Sequence, residues 1–249
     1  MEKEVFTEYK AEQFLKKYLS IAKNQLVKNI NEIKLNKYPL VLKIISPQAL
    51  HKSDINGVRI VHNKKELEEN FNDLIRIAKK KKLKLDGILV QEYIEGHQLI
   101  VGIKKDNVFG HILLFGYGGI FVEIFKDVSM RACPITTTDA ESMIDDLRSK
   151  EILYGARGEK ANIKLLKKIL VKVSKIPLKY KKIEELDINP LIIDKKDAWV
   201  ADARIVFSKW IPTLLTKIYK EKRILKKYRG ELIERGIIIY KWEMDKIKF

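Results

Sequence analysis

Leu40-Val41-Leu42-Lys43-Ile44-Ile45, then Ser46-Pro47, then Leu50-His51-Lys52-Ser53-Asp54, is the stretch from which the rest of the chain is best read. The first six residues form a compact, β-branched apolar run after Pro39, the composition of a buried strand. One lysine stands in the middle. A charge there is costly unless an anion pairs with it. Two readings follow: strand alternation turns Lys43 to solvent, which is the commoner case, or Lys43 binds phosphate. The polar loop Ser46 to Gly57 comes next and holds His51 close to Asp54. A neutral imidazole nitrogen is a competent nucleophile toward phosphorus, and a nearby carboxylate can orient the ring. A lone loop histidine is more often structural, so both readings of His51 stand.

Working outward, helices and strands alternate. Ala11, Phe14, Leu15, Tyr18, Leu19 and Ala22 repeat at three- and four-residue steps, the pattern of one helical face. Leu67, Phe71, Leu74, Ile75 and Ala78 mark a second helix, with Asn63 placed to cap it. Gly87 to Ile94, Leu99 to Ile103 and Val108 to Phe115 read as strands. Gly116-Tyr117-Gly118-Gly119 interrupts the pattern, and Ile120 to Phe125 resumes it. Thr136 to Asp139 opens a helix through about Lys150, and Leu165 to Val173 marks another. Leu186 to Ile193 and Ala198 to Phe207 read as a hairpin around Asp194 to Asp197. Mixed helices and strands predict an α/β or α+β fold.

Composition narrows the class. The chain has 249 residues, 46% apolar and 33% charged, which excludes a disordered or collagen-like polymer. Its 50 Lys+Arg against 33 Asp+Glu give a net charge of +17. Such a field favours polyanions: nucleotides, coenzyme A or nucleic acid. Cys133 is the single cysteine, so no intramolecular disulfide forms, and a reducing cytosol suits it. No apolar run approaches the roughly 20 residues of a membrane span. The start, Met1-Glu2-Lys3-Glu4-Val5, lacks a signal-peptide layout. The expectation is a cytoplasmic protein without membrane contact. The tail Ser208 to Phe249 carries 12 Lys+Arg against five acidic residues, and Trp210, Leu214, Ile218 and Leu225 give it an amphipathic helical pattern.

No Gly-x-x-x-x-Gly-Lys-Ser/Thr loop, no helix-opening Gly-x-Gly-x-x-Gly and no His-Glu-x-x-His occurs, so P-loop, Rossmann and zinc-protease chemistries are disfavoured. What remains is a set of polar residues on strands and glycine-rich turns. Gly116-Tyr117-Gly118-Gly119 is either a plain hairpin turn or a set of backbone N–H donors for an oxyanion. Asp187 and Asn189 are two apart and share a strand face. With Asp202 they offer the oxygens that Mg²⁺ takes from a protein. Phosphoryl transfer also needs donors for the developing charge, and Arg131 or Arg157 can add one.

These residues carry a resemblance. Val41-Leu42-Lys43-Ile44 with Ser46-Pro47, Leu50-His51-Lys52-Ser53-Asp54, Gln91-Glu92, Phe115-Gly116-Tyr117-Gly118-Gly119, Asp127-Val128-Ser129 with Arg131, Gly155-Ala156-Arg157-Gly158, Glu185-Leu186-Asp187-Ile188-Asn189-Pro190 and Asp202-Ala203-Arg204 stand in order. The set resembles the ATP-grasp β subunit of ADP-forming acetyl-CoA synthetases, from about Thr7 to Phe207. Each motif is weak; the ordered set is specific.

The resemblance implies an ATP-grasp fold with mixed sheets over 1–207, holding the nucleotide-binding and phosphohistidine functions, followed by a basic helical extension over 208–249. It implies an acetate–CoA ligase (ADP-forming) that cleaves acyl-CoA with phosphate and passes the phosphoryl group through histidines to ADP. A partner α subunit would bind CoA and hold the first histidine, in an α2β2 hetero-oligomer. His51 would be the second histidine, faced by Asp187. Lys43 would hold the phosphates of ATP or ADP, and Gln91, Glu92, Tyr93 and Ile94 would form the hinge against adenine. Gly116, Gly118 and Gly119 would cradle the phosphates, and Asn189 and Asp202 would bind Mg²⁺. Gln98 stands where the family usually has Glu. The rival class is a degenerate ATP-grasp basic module for RNA or a regulatory protein, resting on the +17 charge and the tail. Nucleic acid ranks below docking of the tail on a partner subunit.

Overall fold

The computed structural model describes residues 3–49, 52, 55–118, 126–156 and 158–208. His51, Gly119, Arg157, the run Ile120 to Phe125 and the tail beyond Ser208 lie outside the described residues.

In chain order the strands are β1 (Lys3–Phe6), β2 (Asn24–Val27), β3 (Leu40–Ile45), β4 (Val58–Val61), β5 (Gly87–Glu92), β6 (His97–Asp106), β7 (Gly110–Tyr117), β8 (Val128–Ala132), β9 (Ile183–Ile193), β10 (Ala198–Val200) and β11 (Ala203–Ser208). The helices are α1 (Glu8–Leu15), α2 (Lys64–Lys80), α3 (Thr137–Asp145), α4 (Lys150–Leu153), α5 (Ile163–Ser174) and α6 (Ile176–Lys179). They build two sheets. The smaller has the order β2-β5-β3-β4; the larger runs β1-β11-β9-β6-β7-β8, with β10 on β9.

The small sheet forms because its two central strands are buried on both faces, one of them apolar. Leu40, Leu42 and Ile44 of β3 and Ile88 and Val90 of β5 are buried. The α2 stripe Leu67, Phe71, Leu74 and Ala78 packs on them. Asn63 caps α2 as its position predicts, accepting from the Glu66 N–H at 2.9 Å. In the large sheet, Val101, Leu113 and Phe115 pack under Met143 of α3 and Leu166 and Leu170 of α5. Thr136 and Asp139 close a reciprocal capping box at the start of α3.

Several boundaries differ from the sequence reading. Among the described residues every ladder is antiparallel rather than mixed, and one parallel bridge joins Ile21 to Val200. The expected strand Ala198 to Phe207 is two strands. β10 pairs with Leu191–Ile193 and β11 with Ile183–Ile188, and Ala201 and Asp202 fall at the break. Pro190 has no N–H, so the ladder is interrupted opposite them. The N-terminal helix spans only Glu8–Leu15, and the helix opened by Thr136 ends at Asp145. β1, β2 and β4 are four-residue edge strands whose short, partly polar sequences gave no alternation signal. Among the described residues no helix is long and apolar enough to cross a membrane.

Candidate functional site

Two features of the fold place the site. The strand break puts Ala201 and Asp202 beside β3 of the small sheet, whose Lys43 reaches the Ala201 carbonyl. Helix α1 then runs along the seam. Its residues Glu8, Ala11, Glu12 and Leu15, at i, i+3, i+4 and i+7, are all buried. Two carboxylates thus lie on the apolar stripe of a helix, where they need cations or donors.

Lys43 supplies the first cation. Its side chain is 8% exposed, so it does not face solvent. The ammonium donates to Glu8 Oε1 at 2.7 Å, Gln91 Oε1 at 2.9 Å and the Ala201 carbonyl at 2.6 Å. Three donors meet three acceptors. The anion that pays for the charge in the strand is therefore Glu8, and phosphate can reach Lys43 only by displacing one of these acceptors. Lys52 supplies the second cation. It donates to Glu8 Oε2 and, at 2.8 Å, to Asp202 Oδ2. Gln91 completes the cluster, donating to Glu12 Oε1 at 3.2 Å, and Asn24 donates to Glu12 Oε2 at 2.7 Å.

The electrostatics follow from this packing. Burial opposes the charge on Glu8, but the Lys43 and Lys52 ammoniums overcome it and hold the carboxyl below its ordinary range. Glu12 has no cation in contact. Burial, then the charges of Glu8 and Asp202, push it up to about 9, although its two amide donors favour the carboxylate. A proton on Glu12 leaves two ammoniums, Lys43 and Lys52, against two carboxylates, Glu8 and Asp202. Asp202 is also raised, by burial and by Glu8, with Lys52 and Lys43 opposing.

Asp187 and Asn189 lie on β9 with Ile188 buried between them, so they share the solvent-facing side as their spacing predicts. The Asn189 N–H donates to the Asp202 carbonyl at 3.1 Å, which brings these two residues together across the break. Asp187 stands opposite Arg204 of β11. Desolvation and the Asp202 charge push it up to about 6, with Arg204 pulling the other way. Its tip remains open to water, which screens these effects. A small cleft lined by Thr7, Ser46, Ala49, Lys52, Asp202 and Arg204 opens beside this group.

Other predicted residues are placed differently. Gln91 is buried inside the cluster and ties Lys43 to Glu12, so its side chain does not face a base. Glu92 ends β5, and Tyr93 and Ile94 lie on the link that carries the chain from the small sheet to β6. The Glu92 and Tyr93 amides are engaged by the carbonyls of Lys23 and Pro39. Gly116 is not in a turn: it sits inside β7, paired with Ile100 and Val128. The Gly118 N–H donates to the Gln98 carbonyl at 2.7 Å. Neither glycine has an amide left for an oxyanion. Arg131 is three strands from β9, about 14 Å at ordinary strand spacing. It is held by Asp146 at 2.6 Å and by Ser142 and Ser129. Its donors are spent there, and the structure does not bring it to the cluster.

Glu8, Glu12, Lys52 and Arg204 were missed as functional candidates. For the two glutamates the signal was present: acidic residues spaced with Ala11 and Leu15 on the buried stripe of α1.

The comparisons agree with one another. The family model described as an ATP-grasp domain matches residues 1–207. The Acetate–CoA ligase [ADP-forming] I subunit beta of Pyrococcus furiosus is 44% identical over 174 residues, 68% of this chain and 75% of that protein. The II subunit beta of the same organism is 40% identical over 212 residues, 80% of this chain and 90% of that one. Longer ligases of similar name are matched over only 25–30% of their length. Among solved structures, the dinucleotide forming acetyl-coenzyme A synthetase 1 of Ca. Korarchaeum cryptofilum, in complex with coenzyme A and Mg-AMPPCP, superposes with a TM-score of 0.72 at 36% identity. That match covers 82% of this chain and 93% of the other, and its phosphohistidine segment points towards the nucleotide binding site.

Proposed function

The chain belongs to the ATP-grasp family, among the β subunits of ADP-forming acetate–CoA ligases, and on that premise we propose that it is the nucleotide-binding β subunit of an ADP-forming acyl-CoA ligase. The reaction is reversible: acyl-CoA, ADP and phosphate give the free acid, CoA and ATP. His51 carries the phosphoryl group between ADP and a partner α subunit that binds CoA, in an α2β2 assembly in the cytoplasm. The ATP-grasp core is 1–207, and 208–249 docks on the partner.

The observation that supports this best is the convergence of Lys43, Lys52, Asn189, Asp202 and Asp187 at one seam. His51 lies in sequence between Ala49 and Lys52, both of which line the adjoining cleft. Phosphoryl transfer asks a protein for positioning and neutralisation of charge, and these residues supply both. Lys43 and Lys52 exchange Glu8 for phosphate oxygens when nucleotide binds. Asp187, largely ionised at neutral pH, accepts from the His51 ring and orients it. The backbone of Glu92, Tyr93 and Ile94 receives adenine, and Gly119 the phosphates.

Asn189 and Asp202 fit Mg²⁺. They offer an amide oxygen and a carboxylate from adjacent strands, which leaves other positions for water and phosphate. Among the described residues no group of three or more His, Cys, Asp or Glu could hold a metal; Asn189 and Asp202 would share the cation with water and the phosphates of the nucleotide. Bound there, the cation neutralises phosphate charge. The relatives support a ligase rather than a degenerate module for RNA or a regulatory protein.

The test is intact mass after incubation with Mg-ATP. The full chain should gain one acid-labile, base-stable phosphoryl group, and His51→Ala should gain none. Labelling that persists in His51→Ala removes His51 from the mechanism.

A further inference from the structure

The arginines of this chain are not used alike. Arg59 and Arg76 pair with Asp73, and Arg131 with Asp146. Arg148 is exposed to water. Arg204 has neither arrangement. It is partly buried, and among the described residues its guanidinium makes no hydrogen bond or ion pair. Its Nε is buried with no partner at all. Asp187 stands opposite it in register, yet no ion pair closes between them. A guanidinium stays charged at any physiological pH and presents five donors in a rigid fork. A buried N–H without an acceptor costs free energy. The fold retains that cost in the wall of the cleft beside the Lys43 cluster.

Two hydroxyls share this wall. Thr7 is the N-cap residue of α1 but makes no side-chain capping bond. Ser46 is buried, and among the described residues its hydroxyl oxygen accepts only the Gln48 N–H. Lys52 enters from the same side, already bonded to Glu8 and Asp202. The cleft thus combines an unspent fork, two hydroxyls and an ammonium. Its carboxylates, Glu8 and Asp202, are already engaged by Lys52. The ligand that fits is a small oxyanion with several acceptors, and a tetrahedral phosphoryl group has that shape.

We propose that Arg204, with Thr7, Ser46 and Lys52, forms the subsite that holds the terminal phosphate of ATP. The proposal rests on the ligase reading, and Arg204 takes the donor role expected of Arg131 or Arg157. A residue that grips the third phosphate must distinguish a nucleoside triphosphate from a diphosphate. A residue that merely supports the fold cannot.

Calorimetry on the full chain with Mg²⁺ measures this, using ADP and a non-hydrolysable ATP analogue. Arg204→Gln should weaken the triphosphate analogue by about tenfold to a hundredfold, the scale of a charge-assisted hydrogen bond, while ADP changes less than about threefold. Arg204→Lys, which keeps the charge but not the fork, should recover only part of the loss. Should Arg204→Gln fail to fold, Arg204→Lys carries the same comparison alone. Equal losses for the two nucleotides, or a loss for neither, overturn the subsite while leaving the ligase reading intact. Wild-type chain that binds neither nucleotide refutes the ligase reading, and the subsite with it.

Discussion

Replacing Lys43 by Met keeps an unbranched stem of four heavy atoms and removes the ammonium. The structure then leaves three acceptors without their donor: Glu8 Oε1, Gln91 Oε1 and the Ala201 carbonyl. Glu8 has a side-chain exposure of 1%, so water does not replace the lost partner. Removing one partner of a buried pair costs about 3–5 kcal/mol. Lys52 still holds Glu8 Oε2, so the low end applies, about 3 kcal/mol. At about 2–4 °C per kcal/mol for a chain of this size, the melting temperature should fall by about 6–12 °C. Nucleotide affinity should respond less. Lys43 must surrender one charge-assisted bond to gain another, so Lys43→Met should weaken ADP by less than about 1.5 kcal/mol, roughly tenfold. Differential scanning calorimetry and ADP titration on the same samples decide the matter. A melting temperature within about 2 °C of wild type, together with an affinity loss above about a hundredfold, would show Lys43 to be a free phosphate ligand and refute the pairing with Glu8.

Other predictions follow from the same site. Above pH about 4.5 the unfolded chain releases the Glu12 proton while the folded chain keeps it, so stability falls as pH rises toward about 9, by at most about 1.4 kcal/mol per pH unit. Glu12→Gln cannot titrate; its melting curve across that range should be flatter than wild type, and parallel curves would show that Glu12 titrates normally. Asp202→Asn and Asn189→Ala should each reduce the gain in ADP affinity on adding Mg²⁺ by about tenfold, while metal-free affinity moves less. Gly96→Ala would set its Cβ 2.7 Å from the Ile193 carbonyl in the link between the sheets, and should cost more than about 2 kcal/mol in urea denaturation.

The central elements were legible in the sequence because their burial is two-sided. Strands β3 and β5 read as continuous apolar runs, and Asn63 and Thr136 announced their helices by capping chemistry. The edge strands β1, β2 and β4 carry little apolar surface, and their pairing is set by neighbours distant in the chain. Within the site, Asp187, Asn189 and Asp202 could be grouped because residue spacing and one hairpin fix them. The partner of Lys43 could not. Glu8 lies 35 residues away on a helix that periodicity recognised by its apolar members alone. Gly116 differs from its reading for a related reason: three glycines within Gly116 to Gly119 suggest a turn, whereas Gly116 is paired on both sides, with Ile100 of β6 and Val128 of β8.

The small sheet has one more consequence. Its strands all fall between Asn24 and Glu92, and its first and last residues are side by side: Asn24 pairs with Gln91, and the Glu92 N–H donates to the Lys23 carbonyl at 2.9 Å. The segment is a cassette whose two ends meet at a single stem. Lys43 and Gln91 belong to this cassette, whereas their partners Glu8, Ala201 and Glu12 lie outside it, so these are the bonds that a displacement of the cassette would break. The same stem marks 24–92 as a piece that can be exchanged with that of a relative, carrying its own half of the site intact.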